Sequence, residues 1–378
     1  MGSHVDKQKG FVSGLSMMHD LFISIVKANG HTVKIVSTSK YASSEGQIGN
    51  PALNRYVDYI SIFWNLLCMF ISNRKCIFYF NPSTAKMGFY RDVVAVYMAK
   101  FFGHKVLMQQ FGAMFESFKK GLSKWEQKLL IRTYNKADLL IVEGENAKQQ
   151  YSFLKNQNKI KIIQNGLPEL NKNIEKSPKK LETNESFNLF FMNNMIESKG
   201  YVDVLKAVNI LVNHKKKNVN CVFAGRFKQL QEDEYFKNIE EAREWFDRFI
   251  VDNNLSDRVK YYDCVFDKQK EIEFKKAHVF LLPSYYIFEG QPTAILEALS
   301  YGCVPIVTRY RLIPDMVNEE CGLFVEPKSP DSIADAVMKL MEYPEQYEQM
   351  SRNAYDRFRE NFTQEAYANR IMDVIQMM

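Results

Sequence analysis

Long apolar runs are missing from this chain. The most hydrophobic window, YISIFWNLLCMFIS at 59–72, is 14 residues long and is interrupted by Asn65. That falls short of the roughly 20 residues that span a bilayer, so the window reads as a buried helix. No secretory signal is visible either, because the opening MGSHVDKQKG has no apolar stretch and MGSH has the look of a vector-derived start. Paired cysteines are also missing. Cys68, Cys76, Cys221, Cys264, Cys303 and Cys321 are scattered with no C-x-x-C spacing, which argues against zinc and disulfide frameworks and for a reducing, cytoplasmic compartment. A strong charge of one sign is lacking as well: a net +6 over 378 residues is too mild to point to nucleic acid as a partner.

What is present is ordinary globular material, 46% hydrophobic and 25% charged. At this length two cores are expected. Between Gly14 and Gly30 the residues Leu15, Met18, Leu21, Phe22, Ile25 and Val26 recur at helical spacing. Short apolar strands then alternate with helices: TVKIVS at 32–37, CIFYF at 76–80, KVLMQ at 105–109, DLLIV at 138–142 and a strand near 160–163, with helices near 53–71, 90–102, 122–134 and 146–154. The polar, lysine-rich stretch at 168–186 reads as a linker. The alternation resumes with strands near 187–192, 219–224, 259–263, 278–283, 304–307 and 322–325. The expected organisation is an α/β protein of two Rossmann-like, doubly wound parallel-sheet domains, 1–167 and 187–362, facing across a cleft, with a helix at 363–378 crossing back to the first.

Open parallel sheets bind ligands beyond the carboxyl ends of their strands. In the second domain that edge carries Asn193, Asn194 and Lys199 after the first strand, Gly225 and Arg226 after the second, Ser284 to Glu289 after the fourth, and Thr308 after the fifth. In YIFEGQPTAILEALSYGCVP at 286–305, Gly290 leaves room for a ligand and Pro292 suits a first helical position, so free N–H groups there would face a phosphate. Two readings stay open for its carboxylates. Glu289 and Glu297 either hold the two ends of a nucleotide sugar, or one caps the helix and the other is a solvated or salt-bridged helix residue. No D-x-D or similar carboxylate cluster lies on this edge, so no metal is expected.

The run HVFLLPSYYIFEGQPTAILEALSYGCVPIVT at 278–308, followed by CGLFVEPKSPDSIADAVMKLM at 321–341, resembles the C-terminal domain of the family-4 retaining glycosyltransferases, which have the GT-B fold. The likeness runs from about Gly10 to the C-terminus, strong in the second domain and loose in the first. It implies that Glu289 contacts the donor sugar, that Glu297 binds the ribose, and that Gly290, Gln291, Pro292 and Thr293 lie against the sugar and diphosphate. Lys199, in FFMNNMIESKG at 190–200, matches the lysine that neutralises the diphosphate. The family often has an arginine where this chain has Asn194; Arg226, on the neighbouring strand end, is the candidate to supply that charge, against the alternative of a plain surface arginine. The family's first-domain histidine-glycine pair corresponds to Phe111-Gly112, preceded by Gln110, and no histidine occurs between His104 and His214. His104 reads as a surface residue. GFVSGLS at 10–16 resembles the glycine-rich loop and makes Gly14 a donor-site candidate. Only MGSHVDKQK precedes it, so the first strand of the N-terminal sheet is expected to be lacking.

The function implied is transfer of a sugar from a nucleotide-diphosphate donor, a UDP-sugar before others, to a glycan or lipid-linked acceptor in capsule or lipopolysaccharide synthesis. The anomeric configuration would be retained, with no cofactor beyond the donor. The alternatives are a soluble sugar synthase or nucleotide-sugar epimerase on the same scaffold, or a catalytically weak GT-B-like binding protein. The segment 115–136 carries Lys119, Lys120, Lys124, Lys128, Arg132 and Lys136 against Glu116 and Glu126, a local +4, interleaved with Phe115, Phe118, Trp125, Leu129 and Leu130. It reads either as an ordinary amphipathic surface helix or as a face that lies on anionic lipid at the cytoplasmic side of the inner membrane.

Overall fold

The computed structural model describes residues 14–37, 53–73, 75–112, 114–167, 179–181 and 185–378. The chain divides into two compact units, Met1–Pro168 with Gln364–Met378, and Glu169–Thr363. The first unit runs α1 (Gly14–Ala28), α2 (Leu53–Ser72), β1 (Ile77–Phe80), α3 (Lys86–Phe101), β2 (Lys105–Gln110), α4 (Phe115–Lys120), α5 (Lys124–Lys136), β3 (Leu139–Val142), α6 (Glu145–Gln149) and β4 (Ile160–Ile162). The second runs β5 (Phe187–Met192), α7 (Tyr201–Asn209), β6 (Val219–Ala224), α8 (Ile239–Asp252), β7 (Val259–Tyr262), α9 (Asp267–Lys276), β8 (Val279–Leu282), α10 (Thr293–Ser300), β9 (Val304–Thr308), α11 (Ile313–Met316), β10 (Leu323–Val325), α12 (Pro330–Glu342) and α13 (Pro344–Asn361). The last helix, α14 (Gln364–Gln376), belongs to the first unit.

In the first unit the parallel order is β1-β2-β3-β4. Alternate residues of a strand face opposite sides. Leu107 and Ile141 therefore meet Leu21, Phe22 and Ile25 of α1 and Tyr367, Ile371 and Val374 of α14 on one face. Phe78 meets Phe70 of α2 edge-on at 5.4 Å on the other, where α2, α3 and α5 pack side by side. Gln109 Nε2 bonds the buried Tyr367 hydroxyl at 3.3 Å, tying α14 to β2.

Two expectations are corrected here. Residues 32–36 run without a strand ladder, since an apolar alternation favours extended backbone but a ladder also needs a neighbouring strand. The window 59–72 is a helix but is not buried all round: Ile62, Leu66 and Phe70 lie in the core while Ile60, Trp64 and Ile71 face outward.

In the second unit the order is β10-β9-β8-β5-β6-β7, all parallel. The chain winds outward from β5 through β6 to β7, then returns to lay β8 on the other side of β5. The order reverses between β5 and β8, which pair through Leu189 with Val279 and Phe190 with Phe280. A crevice opens at the carboxyl ends of such a pair, because the two following connections leave on opposite faces of the sheet.

Candidate active site

The loops after β5 and β8 meet at that reversal. The turn Glu197–Lys199 ends at Gly200, whose φ of +88° no side chain adopts comfortably, and a Cβ there would stand 2.6 Å from Pro283 Cγ and 2.8 Å from Pro283 O. Glycine thus lets the Lys199 turn press against the end of β8. Tyr285 N donates to Ser198 O at 2.7 Å, stitching the two loops together. The consequence is a buried ion pair: Lys199 Nζ lies 2.8 Å from both Glu289 Oε1 and Oε2. Ser284 Oγ donates to Glu289 Oε2 at 2.5 Å, and Lys199 Nζ sits 4.2 Å from the Tyr286 ring centroid. The side chains of Lys199 and Glu289 are 8% and 5% exposed, so solvent screens their attraction little.

The other candidates are distributed around this pair. Pro292 caps α10 rather than starting it, with ψ at 115°, and Ile295 N bonds its carbonyl at 3.0 Å. Gln291 beside it is buried, Gly290 is half-buried, and Thr293 opens α10. Glu297 is not brought to Lys199. Its Oε1 pairs with Lys270 Nζ of α9 at 2.6 Å, the salt-bridged arrangement, on a side chain only 13% exposed. Asn194 is exposed, and its N–H is held by Asn193 Oδ1 at 2.9 Å. Arg226 stands on the adjacent loop, because Met195 N bonds Arg226 O at 2.8 Å, but its guanidinium is turned to Asp263 at 3.3 Å and is mostly exposed. Gly225 permits this approach; a Cβ there would fall 1.7 Å from Asn193 O. Thr308 Oγ1 donates inward to Ser284 O and so braces the β8 loop.

In the first unit Gly14 is the first residue of α1, and the loop before it lies outside the described residues. Gln110 is buried; its Oε1 accepts from the Tyr134 hydroxyl at 2.9 Å and its Nε2 donates to Phe111 O at 3.3 Å. The surface reading of His104 is corrected. It is 1% exposed, accepts from Cys76 N at 3.2 Å through Nδ1, and packs on Phe70 at 4.9 Å, because the turn before β2 folds under α2.

Two carboxylates escaped the sequence reading. Glu197 takes three backbone N–H groups, from Glu234, Tyr235 and Phe236 at 2.8 to 3.0 Å, and so anchors the loop after β6 to the Lys199 turn. Glu143, at the carboxyl end of β3, accepts from Gly112 N and Asn165 Nδ2 at 2.6 Å each. Burial pushes its carboxyl up to about 7 against those hydrogen bonds. The available signal was positional, an acid directly after the strand DLLIV. Among the described residues no group of three His, Cys, Asp or Glu is placed to hold a metal ion.

Residues 173–357, most of the second unit, are similar to the family described as glycosyl transferases group 1. Both units fit the GT-B class of two Rossmann-like domains: a glycosyltransferase from Rickettsia africae superposes with a TM-score of 0.71 over 100% of this chain and 96% of that one, at 13% identity. The Anabaena protein HepE, solved in complex with UDP, superposes with a TM-score of 0.65 over 84% of this chain and 82% of that one, also at 13% identity.

Among curated proteins, the D-rhamnosyltransferase WbpZ of Pseudomonas aeruginosa is 31% identical over 107 residues, 28% of each chain. A sucrose synthase of Nitrosomonas europaea is 28% identical over 135 residues, 33% of this chain and 17% of its own length. The matched stretches thus span 28% and 17% of these two curated relatives.

Proposed function

We propose that this protein is a retaining glycosyltransferase that moves a sugar from a nucleoside-diphosphate donor, a UDP-sugar, to a glycan or lipid-linked acceptor in surface-polysaccharide synthesis on the cytoplasmic side of the membrane. The observation that carries the reading is the buried Lys199–Glu289 pair at the sheet's reversal point. A buried ion pair adds little stability over apolar side chains of the same volume, so its presence favours a binding role. In this reading the donor diphosphate draws Lys199 away and the freed Glu289 oxygens accept sugar hydroxyls. Lys199 stabilises the charge that develops on the leaving diphosphate, which itself takes the acceptor proton on the same face of the sugar. Glu297, shared with Lys270, takes the ribose, and the backbone at Gly290 to Thr293 lies along the sugar and diphosphate.

The likeness to a D-rhamnosyltransferase supports sugar transfer. The likeness to a sucrose synthase favours a second reading, transfer to a free sugar. Nucleotide release from a panel of nucleotide sugars, with mass spectrometry of the products on free-sugar and lipid-linked acceptors, separates the two. Glu289→Gln is expected to lower turnover at least about tenfold with the fold kept, since volume is conserved while charge is lost; near-normal turnover would remove Glu289 from the site.

A further inference from the structure

The helix layer over the Phe78 face of the first unit leaves an apolar surface uncovered. α2 turns Ile62, Leu66 and Phe70 into the core and Ile60, Trp64 and Ile71 outward, at 65–69% exposure. Steps of four and seven residues keep those three in one narrow stripe. α3 repeats the pattern, with Ala95, Val96 and Ala99 inward and Val94, Tyr97 and Phe101 outward, Phe101 being 83% exposed. Because α2 packs on α3 and α3 on α5, the stripes lie side by side in one layer. Large apolar side chains grouped in this way mark an interaction surface, whereas isolated ones do not.

Charge indicates the partner. α5 adds the exposed cations Lys124, Lys128, Arg132 and Lys136, each four residues from the next. Among the described side chains of the three helices the acids are Asp92 and Glu126, and both are buried. Asp92 pairs with Arg91 at 2.7 Å, and Glu126 accepts from Ser123 Oγ and Tyr90 Oη at 2.5 Å each. Among the described residues of these helices, the charges that face outward are therefore cationic. A second copy of the chain seated on this face would set cations against cations.

We propose that the α2–α3–α5 face docks on an anionic lipid surface, with the outward side chains of α2 and α3 entering the boundary between headgroups and acyl chains and the cations of α5 lying over lipid phosphates. The anchors differ from those expected at 115–136. Phe115 and Leu130 are buried, Phe118 and Leu129 are half-buried, and Lys119 is held over the Phe153 ring at 4.9 Å. That segment supplies charge and Trp125, while α2 and α3 supply the apolar anchors. No helix among the described residues is long and apolar enough to cross a membrane, so the face lies on the surface. The assignment deepens the lipid-linked-acceptor reading and rests on it for its use, but docking is measured without donor, acceptor or turnover, so either can fail alone.

The test is co-sedimentation of the full chain with vesicles of phosphatidylcholine alone or mixed equally with phosphatidylglycerol, at low and high salt. Binding is expected to the anionic vesicles only and to weaken with salt. Trp64→Ser with Phe101→Ser should weaken partitioning at least about tenfold, and Lys128→Gln with Arg132→Gln by about fivefold per cation. All four side chains are exposed, so unchanged melting curves are expected. With Trp125→Phe and Trp245→Phe in place, lipids brominated in the acyl chain should quench Trp64. Failure of the wild type to bind anionic vesicles, equal binding by wild type and variants, or absence of quenching overturns the proposal. Self-association abolished by the Trp64 and Phe101 changes would assign the face to a second copy and overturn it equally.

Discussion

Replacing Lys199 and Glu289 singly and together separates their contribution to the fold from their role in binding. Each side chain is less than a tenth exposed, and Nζ contacts both carboxylate oxygens at 2.8 Å. Unit charges about 3.5 Å apart at an effective dielectric constant near 20 attract by roughly 5 kcal/mol. Lys199→Met leaves the Glu289 carboxylate in the same pocket with Ser284 Oγ as its remaining close donor, and Glu289→Leu strands the ammonium against the Tyr286 ring. Each single change is expected to cost about 3–5 kcal/mol. The double variant, with volume kept and no charge left, should fall within about 1 kcal/mol of the wild type, a coupling of at least about 5 kcal/mol. Trp245 on α8 reports the second unit alone once Trp64 and Trp125 are Phe, so urea titration of its fluorescence reads the relevant unfolding. Single costs under about 1 kcal/mol that simply add would refute the idea of a poorly screened pair. The folded double variant should also have lost affinity for UDP.

Further outcomes concern the surrounding loops. The folded Glu143 carboxyl titrates at about 7 against an ordinary value of 4.5, so the protonated form is favoured on folding. The associated stability is present at low pH and is lost as pH rises from about 4.5 through 7, to the order of 3 kcal/mol. Glu143→Gln should therefore gain stability relative to wild type above pH 7 and show no gain near pH 4.5, read from paired denaturant titrations; a pH-independent difference would contradict this. Gly225→Ala should cost about 3 kcal/mol or more, because its Cβ would overlap Asn193 O, and an unchanged melting temperature would show that the β5 and β6 loops yield easily. Arg226→Ala should weaken UDP binding by a factor of about three to ten in calorimetry, less than loss of Lys199, since the guanidinium is exposed and shared with Asp263. No change would leave Arg226 as a surface charge.

Apart from 32–37, the strand and helix order of both units was legible because most strands are short runs rich in apolar residues between polar turns, and β8 and β9 are buried along their whole length. The candidate pair was legible because it rests on position: Lys199 follows one strand and Glu289 another, and in a doubly wound sheet both strand ends lie on one edge. That the two side chains touch was not. Contact depends on Gly200 packing against Pro283 and on β8 pairing directly with β5, a register across 90 residues that no local pattern carries. Glu297 and Glu289 look alike in sequence, yet α9 supplies Lys270 to one and the β5 loop supplies Lys199 to the other. The burial of His104 and Glu143 was likewise set by what packs over them. The window 59–72 shows the same limit from the other side: its composition predicts a helix, but only the neighbours α3 and β1 decide that Leu66 is covered and Trp64 is not. Local sequence sets periodicity and backbone preference, whereas burial and charge pairing are properties of whichever surfaces the tertiary fold brings together.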